Sequence, residues 1–418
     1  MPTPAPTLAR IERALPTILQ TFGTPCYVYD EQGILERGQE LRHAMRHVRG
    51  FQQFYAVKAW NTPENLMLQK RMGFGFDCSS PYELKLAARA GAGGEQIFFT
   101  SNNSRPEWFD QASALGAVIN LDDVSLIKKV REFPELICFR LNPGKRRTGS
   151  SIIGTPVEAK YGIMWEQLIP AFREAKARGA RRFGIHTMVC SNCRDEKYLT
   201  ATVGMLLQAI EEVSTKLKIQ FEFINMGGGF GIPYRPTDKE LNINRIGERI
   251  AVLLDLFRRK HGYAPNLFTE MGRWMTGPYG VLVASVINRK EIYQTHVGVD
   301  VGMNGLMRHG MYGAYHHIKV VGAKQQKKEV VNVVGQICEN CDRLATKRLL
   351  PRTREGDILL VQDAGAHGIV MCFNYNGTTR PQEVMLREDG TADLIRRAET
   401  HDDLDATLNF EPKQIRIP

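Results

Sequence analysis

Lys58 stands near the end of a short aromatic and β-branched run, Phe54-Tyr55-Ala56-Val57-Lys58-Ala59-Trp60. Such a run reads as a strand carrying the lysine inward, where an ammonium is costly unless it loses its proton or is paired. A lysine whose pKa has fallen attacks carbonyl carbons and forms Schiff bases, whereas an arbitrary lysine more often closes its strand with the ammonium in water. Other stretches weigh between the two. Met226-Gly227-Gly228-Gly229-Phe230-Gly231 follows an apolar run, and consecutive glycines let backbone N–H groups surround a phosphate; alone, such a run is more often a tight turn. Glu270-Met271-Gly272-Arg273 sets a carboxylate that can keep a ring nitrogen protonated beside a glycine and a guanidinium suited to a phosphate, where an isolated tetrapeptide would be a surface turn with an ion pair. Asp300-Val301-Gly302-Met303-Asn304-Gly305-Leu306-Met307-Arg308, with Tyr312, is a polar cluster in an apolar setting, or else a loop with an exposed arginine. Cys338-Glu339-Asn340-Cys341-Asp342 adds thiols and carboxylates, although a lone cysteine is usually core.

The elements that must position these groups follow from bulk numbers and periodicity. At 418 residues, 43% hydrophobic and 24% charged, the chain is globular and suits two domains or one large barrel with an appendage. Its 55 Lys+Arg against 45 Asp+Glu give a charge of +10. The basic residues fall in short scattered clusters, such as Lys145-Arg146-Arg147 and Arg178 with Arg181-Arg182, without interleaved aromatics. An anionic substrate or cofactor accounts for them, and no nucleic acid is expected. Met1-Pro2-Thr3-Pro4-Ala5-Pro6 has neither a charged leader nor an apolar core, and no later stretch reaches the length of a membrane span, so the expected location is cytoplasmic, with no membrane partner. Eight cysteines in so long a chain read as reduced thiols. The pairs Cys190/Cys193 and Cys338/Cys341 raise zinc, but structural zinc pairs lie much closer in sequence; no metal is expected.

After a mobile Pro-rich start and a short helix, 25–30 reads as a strand and the chain is then helical to about His47. Strand patterns at 54–57, 75–78, 97–99, 117–120, 137–141, 183–188, 221–226 and 266–270 alternate with helical ones, the eight units that close a parallel (β/α)8 TIM-type barrel. Past Pro278 the pattern turns β-rich, at 281–287, 293–299, 329–334, 358–361 and 383–386. The expected division is 1–34, a segment whose strand joins the β domain; 35–280, the barrel; and 281–418, a second β-rich domain of barrel or sandwich type. In such a barrel the reactive residues stand at the carboxyl ends of the strands, where most of the stretches above fall.

Taken together, the stretches resemble the pyridoxal-phosphate decarboxylases of the diaminopimelate and ornithine decarboxylase family, which share the alanine-racemase type of barrel. The matching pieces, in the family's order, are Tyr55-Ala56-Val57-Lys58-Ala59, Gly75-Phe76-Asp77-Cys78-Ser79-Ser80, Arg140-Leu141-Asn142-Pro143, Gly227-Gly228-Gly229, Glu270 with Gly272-Arg273, Arg308 with Tyr312, Cys338-Glu339 with Asp342, and Tyr375-Asn376. The resemblance implies pyridoxal 5′-phosphate as cofactor, bound covalently by Lys58. It further implies that Asp77 and Arg140 line the cofactor's lysine and ring-oxygen side, and that Glu270 pairs with its ring nitrogen. Ser191, Gly227, Gly228, Gly229, Gly272, Arg273 and Tyr375 would surround the phosphate. Arg308, Tyr312, Glu339 and Asp342, with Arg273 and Tyr375, would hold an amino-acid substrate. Cys338 would be the proton donor, supplied by the other subunit of a homodimer.

Arg308 selects within the family. A distal ammonium, as in ornithine or lysine, wants an acidic partner, whereas a distal amino-acid end carries a carboxylate that a guanidinium grips with two hydrogen bonds. The family's diaminopimelate branch has Arg and Tyr at this spacing, so meso-diaminopimelate is the expected substrate and L-lysine the product. Decarboxylation of D- or L-ornithine, lysine or a related carboxylated amine is the nearest alternative. A racemase on the same barrel would use two opposed bases, against which Cys338-Glu339 argues. A silent binding homologue should have lost Lys58 or Cys338. Some positions depart from the pattern. In Gly184-Ile185-His186-Thr187-Met188-Val189-Cys190-Ser191, Met188 stands where the family has its second histidine, one of whose pair stacks on the cofactor ring, and either His186 or Met188 is expected to make that contact. His367 replaces a tyrosine, and Trp60, Met271 and His309 replace Asn, Pro and Pro.

Overall fold

The computed structural model describes residues 2–149, 154–323 and 327–408. Two units divide the chain. One is Gln32–Pro278; the other joins Thr3–Glu31 to the chain from Tyr279 onward. The first strand, β1 (Cys26–Asp30), belongs to the second unit.

Eight parallel strands close the first unit into a barrel: β2 (Gln52–Ala56), β3 (Gly75–Cys78), β4 (Ile97–Ser101), β5 (Val118–Leu121), β6 (Leu136–Arg140), β7 (Arg182–His186), β8 (Phe223–Asn225) and β9 (Asn266–Thr269). All eight coincide with the strands read from the sequence, within a few residues at each end. Their inward side chains, Phe54, Phe98, Val118, Leu136, Cys138, Phe223 and Phe268, form one buried cluster. Each buried phenylalanine there contributes about 2–3 kcal/mol by leaving water. The rings meet edge to face, Phe54 to Phe98 at 5.5 Å and Phe98 to Phe223 at 5.7 Å between centroids. Gly184 makes room for this: opposite Phe223 in the β7–β8 ladder, it would carry a Cβ only 2.1 Å from that ring.

Two of the helices that follow barrel strands begin on polar side chains. Ser80 accepts from Glu83 N at 3.3 Å to start Pro81–Arg89, and Asp195 accepts from Lys197 N and Tyr198 N at 2.8 and 3.1 Å to start Glu196–Leu217. With strand directions and helix starts fixed, every carboxyl strand end faces one rim.

The second unit is a sheet built on β10 (Gly280–Glu291), with β11 (Thr295–Val299), β12 (Ile318–Val320), β13 (Lys328–Val334), β14 (Arg343–Pro351), β15 (Ile358–Val361), β16 (Gln382–Leu386) and β17 (Ala392–Arg396). The order runs β14-β13-β11-β10-β1-β16-β17, while β15 joins β10 to β12. A register shift between Val286 and Asn288 lets one half of β10 pair with β1 and β15, and the other half with β11.

The Pro-rich start is not mobile, and its helix is not short. An 18-residue helix, Ala5–Phe22, begins there, with a proline in its first turn where a missing N–H costs nothing. Its Ile11, Leu15 and Ile18 pack on Val28, Val283, Leu360 and Val384 of the sheet. Buried Asp30 anchors it, accepting from Thr7 Oγ1 at 2.6 Å and from Arg10 Nε at 3.0 Å.

Candidate active site

Parallel strands bring the expected residues of the barrel to its carboxyl rim. Lys58 lies in a single 3-10 turn after β2, Asp77 near the end of β3, Arg140 at the end of β6, and Glu270 directly after β9. The expectation of a buried lysine with a lowered pKa is corrected. Its side chain is 51% exposed, with Nζ 3.5 Å from Asp77 Oδ2. The charge of Asp77 first, then those of Glu270 and Glu83, outweigh the opposing effect of burial and hold the ammonium above its ordinary value. The resting amine is thus paired, and must shed its proton before attacking a carbonyl. Asp77 responds in turn: burial first, and the charge of Glu270 second, raise its carboxyl to about 7 against the pull of Lys58.

Glu270 is buried and held at both oxygens. Oε1 accepts from Asn225 Nδ2 at 2.7 Å, and Oε2 lies 3.2 Å from His186 Nε2. Burial pushes its pKa up, but the charge and hydrogen bond of His186, with Lys58 and Asn225, bring it below the usual carboxylate value. The site therefore presents an anion. His186 is paired with that anion: of the two residues expected to meet a cofactor ring, His186 faces Glu270, while the sulfur of Met188 sits 3.3 Å from Gly228 N.

The glycine run makes a close backbone approach. A Cβ on Gly227, Gly228 or Gly229 would stand 2.5, 2.5 and 2.4 Å from the carbonyl oxygens of Thr187, Glu270 and Cys190. Gly227 N–H donates to Asn225 Oδ1 at 2.9 Å and Gly228 N–H to Met188 Sδ. What these two residues offer a phosphate is room rather than unengaged donors. The loop carrying Ser191 is laced to the same arm, with Asn192 Oδ1 accepting from Ile232 N at 2.9 Å and Cys193 N donating to Gly229 O at 2.8 Å. Arg273, buried next to Gly272, donates to Tyr234 Oη at 2.5 Å. Arg140 donates to Asp122 at 2.8 Å, its guanidinium 4.4 Å above the Tyr161 ring.

Some positioning residues escape a reading by motif. Asn225 ends an apolar strand, and an amide at that place was the available signal. Gln53 clamps the segment that carries Glu270, accepting from Thr269 Oγ1 at 2.7 Å and Met271 N at 3.2 Å and donating to Met271 O at 2.8 Å. Asp122 has no signal beyond its charge.

In the second unit, Arg308 is 2% exposed and opens a one-turn helix that ends at the exposed Tyr312. Cys338 and Glu339 are exposed, and Cys338 N donates to Asn376 Oδ1 at 2.7 Å, tying their loop to the turn that carries exposed Tyr375. Phe373 N donates to Asn304 O at 3.2 Å, so the three stretches are joined. Asp342 links two of these stretches. Its oxygens accept from Met303 N at 2.5 Å and Ile337 N at 2.9 Å, so the carboxylate ties two loops together. Of the other departures, His309 bonds Ala314 O at 2.9 Å and Thr346 Oγ1 at 3.0 Å, and Trp60 is fully buried.

Two polar atoms at the barrel rim, Asp77 Oδ1 and His186 Nδ1, are buried without a hydrogen-bond partner. A protein rarely leaves such atoms unmatched, and their presence beside a paired lysine, a held carboxylate and a glycine cradle fits a polar, phosphorylated cofactor. Among the described residues, no group of three or more His, Cys, Asp and Glu is arranged to hold a metal ion, and no helix is long and apolar enough to cross a membrane.

Comparison with known proteins agrees. Residues 32–277 match the family model for the pyridoxal-binding domain of pyridoxal-dependent decarboxylases. Protein TabA of Pseudomonas amygdali pv. tabaci is 42% identical over 413 residues, covering 98% of this chain and 97% of that protein. Diaminopimelate decarboxylase of Thermoplasma acidophilum is 34% identical over 390 residues, covering 93% of each. The crystal structure of diaminopimelate decarboxylase from M. jannaschii in complex with L-lysine superposes with a TM-score of 0.86 at 30% identity, covering 93% of each chain. The chain therefore belongs to the pyridoxal-dependent decarboxylases, carboxy-lyases whose cofactor is pyridoxal 5′-phosphate.

Proposed function

We propose that this enzyme removes one carboxylate of meso-2,6-diaminopimelate to give L-lysine and carbon dioxide, working as a cytoplasmic homodimer with shared active sites. The observation that carries the substrate is Arg308, a buried guanidinium one helical turn from Tyr312. Such a group suits the amino-acid end of the substrate that does not react, since a planar fork grips a carboxylate with two parallel hydrogen bonds. The names of the relatives that span the whole chain support the same choice.

When bound, pyridoxal phosphate supplies an aldehyde for the substrate amine and a protonated ring able to accept the electron pair left by departing carbon dioxide. Lys58 would hold the aldehyde carbon. Asp77 would keep the lysine amine beside it, and Arg140, braced by Asp122, would border the ring oxygen. Glu270, kept anionic by Asn225 and His186, would hold the proton on the ring nitrogen. Ser191, Gly227, Gly228, Gly229, Gly272, Arg273 and the Tyr375 hydroxyl would line the phosphate. Arg308, Tyr312 and Glu339, with Arg273 and Tyr375, orient the substrate, and the thiol of Cys338 from a second copy of the chain delivers a proton to the α-carbon.

Carbon dioxide release from the stereoisomers of diaminopimelate, L-lysine and ornithine tests the proposal. Release from meso-diaminopimelate alone is expected; release from lysine or ornithine, without meso-diaminopimelate, overturns it. A second reading, another amino acid with a distal carboxylate, keeps the same role for Arg308; Met188 and His309 depart from the family's pattern, and the relative with 42% identity bears a different name, Protein TabA. Turnover of such a diacid at a kcat/KM well above that for meso-diaminopimelate would select it.

A further inference from the structure

Arg308 sits in a five-residue helix, too short to fix the direction of a long side chain by itself. His316 supplies that direction. It is fully buried, with Nε2 2.8 Å from Arg308 Nη1 and Nδ1 2.8 Å from the carbonyl oxygen of Gln362. An arginine can only donate and a carbonyl can only accept, so Nδ1 carries the hydrogen and Nε2 the lone pair. The imidazole is neutral in this arrangement, since a second proton would set an N–H against the guanidinium. Its backbone is equally held: His316 O accepts from Arg348 Nη1 at 2.6 Å, Gln362 N donates to His317 O at 2.8 Å, and β12 then pairs with β15.

We infer that His316 is the positioning residue for Arg308, aiming the guanidinium at the distal carboxylate of the substrate without neutralising it. A carboxylate in its place would hold the arginine more strongly, but would consume the charge that a diacid needs. Burial raises the pKa of Asp363, a carboxyl that interacts electrostatically with Arg308, well above its ordinary value and so disfavours its charged form. The inference rests on the proposed role of Arg308.

The test compares binding of L-lysine, which retains the distal carboxylate, with binding of 1,5-diaminopentane, which lacks it, both measured as competitive inhibitors of the holoenzyme, alongside KM and kcat. His316→Gln places a neutral acceptor near Nε2 and is expected to keep the preference for L-lysine within about threefold. His316→Asn keeps the donor toward Gln362 but removes the acceptor, and His316→Glu supplies an acceptor that is charged. Both should weaken L-lysine and raise KM by about tenfold or more, with 1,5-diaminopentane and kcat little changed. Folding is controlled by Tm and by the glutamine variant. If the asparagine and glutamate variants keep the wild-type preference, or lose both ligands equally, His316 does not position Arg308. Arg308→Met separates the two readings. Should it abolish the preference while the His316 variants keep it, only the positioning inference falls; should it leave the preference intact, the role of Arg308 falls and the inference with it.

Discussion

Asn225 and Glu270 meet at 2.7 Å, amide nitrogen to carboxylate oxygen, and the other end of the same amide accepts the Gly227 N–H at 2.9 Å. One uncharged side chain therefore sets both the buried anion at the barrel rim and the first residue of the glycine arm. Asn225→Ala leaves both partners unmatched in a buried place and is expected to destabilise the protein by about 1–3 kcal/mol. Asn225→Asp sets a second carboxylate against Glu270, favours protonation of one of the pair, and should weaken pyridoxal phosphate binding about tenfold or more. Fluorescence titration of the cofactor reads this directly; wild-type affinity in the aspartate variant would remove Asn225 from the site.

Asp77 gives the cofactor-free protein a pH dependence of defined sign. Its carboxyl is raised to about 7, by burial and then by Glu270. A carboxyl whose folded pKa exceeds its unfolded value of about 4 holds its proton more tightly when folded. The stability it contributes is therefore full below the unfolded value and is lost as pH rises through the folded one. The Tm of the cofactor-free protein should fall between about pH 5 and about pH 8, and Asp77→Asn should flatten that fall. Parallel Tm profiles for the two proteins would sink the assignment.

The barrel was legible because its strands are short apolar runs with abrupt ends, and parallel strands covered on both faces need nothing subtler. The second unit was less so. β14 escaped notice because Lys347 and Arg348 interrupt its apolar alternation, and Lys347 adopts a left-handed φ of 46° where the ladder to β13 shifts register. Motif position identified Lys58, Asp77 and Glu270, but the exposure of Lys58 and the pairing of His186 with Glu270 depend on how strand ends face one another across the rim. Asp342 illustrates the limit most plainly: the residue type fits a ligand contact, and only the positions of the Met303 and Ile337 amides reveal that it also ties two loops together.

The thiols of Cys190 and Cys193 are expected to differ in reactivity. The hydrogen bond from Cys190 is the largest influence on Cys193 and, with the Asp195 backbone, lowers its pKa to about 7 against burial; Cys190 is shifted strongly upward by the same bond and by its burial. The thiolate is the reactive form, so iodoacetamide at about pH 7.5 should label Cys193 well ahead of Cys190. Cys190→Ala should slow labelling of Cys193 by about threefold or more, as its pKa returns toward the ordinary thiol value of about 8.5. Peptide mapping by mass spectrometry checks both, and equal labelling of the two cysteines would contradict the hydrogen-bond direction.

Met188 takes the position at which related decarboxylases are expected to carry a histidine, and its sulfur lies 3.3 Å from the Gly228 N–H. Sulfur is a weak acceptor, so most of its value at this place is bulk against the glycine arm and against the aromatic ring of a bound cofactor. Met188→Leu keeps that bulk without the acceptor and should weaken pyridoxal phosphate by about threefold or less, since a sulfur hydrogen bond is worth little. Met188→Ala leaves a gap beside Gly228 and should cost about tenfold or more, in line with about 2 kcal/mol or more for truncating a packed methionine. Titration of the cofactor-free variants ranks the two. If alanine binds as tightly as methionine, Met188 does not support the cofactor ring, and with His186 held by Glu270 that contact would fall to another residue.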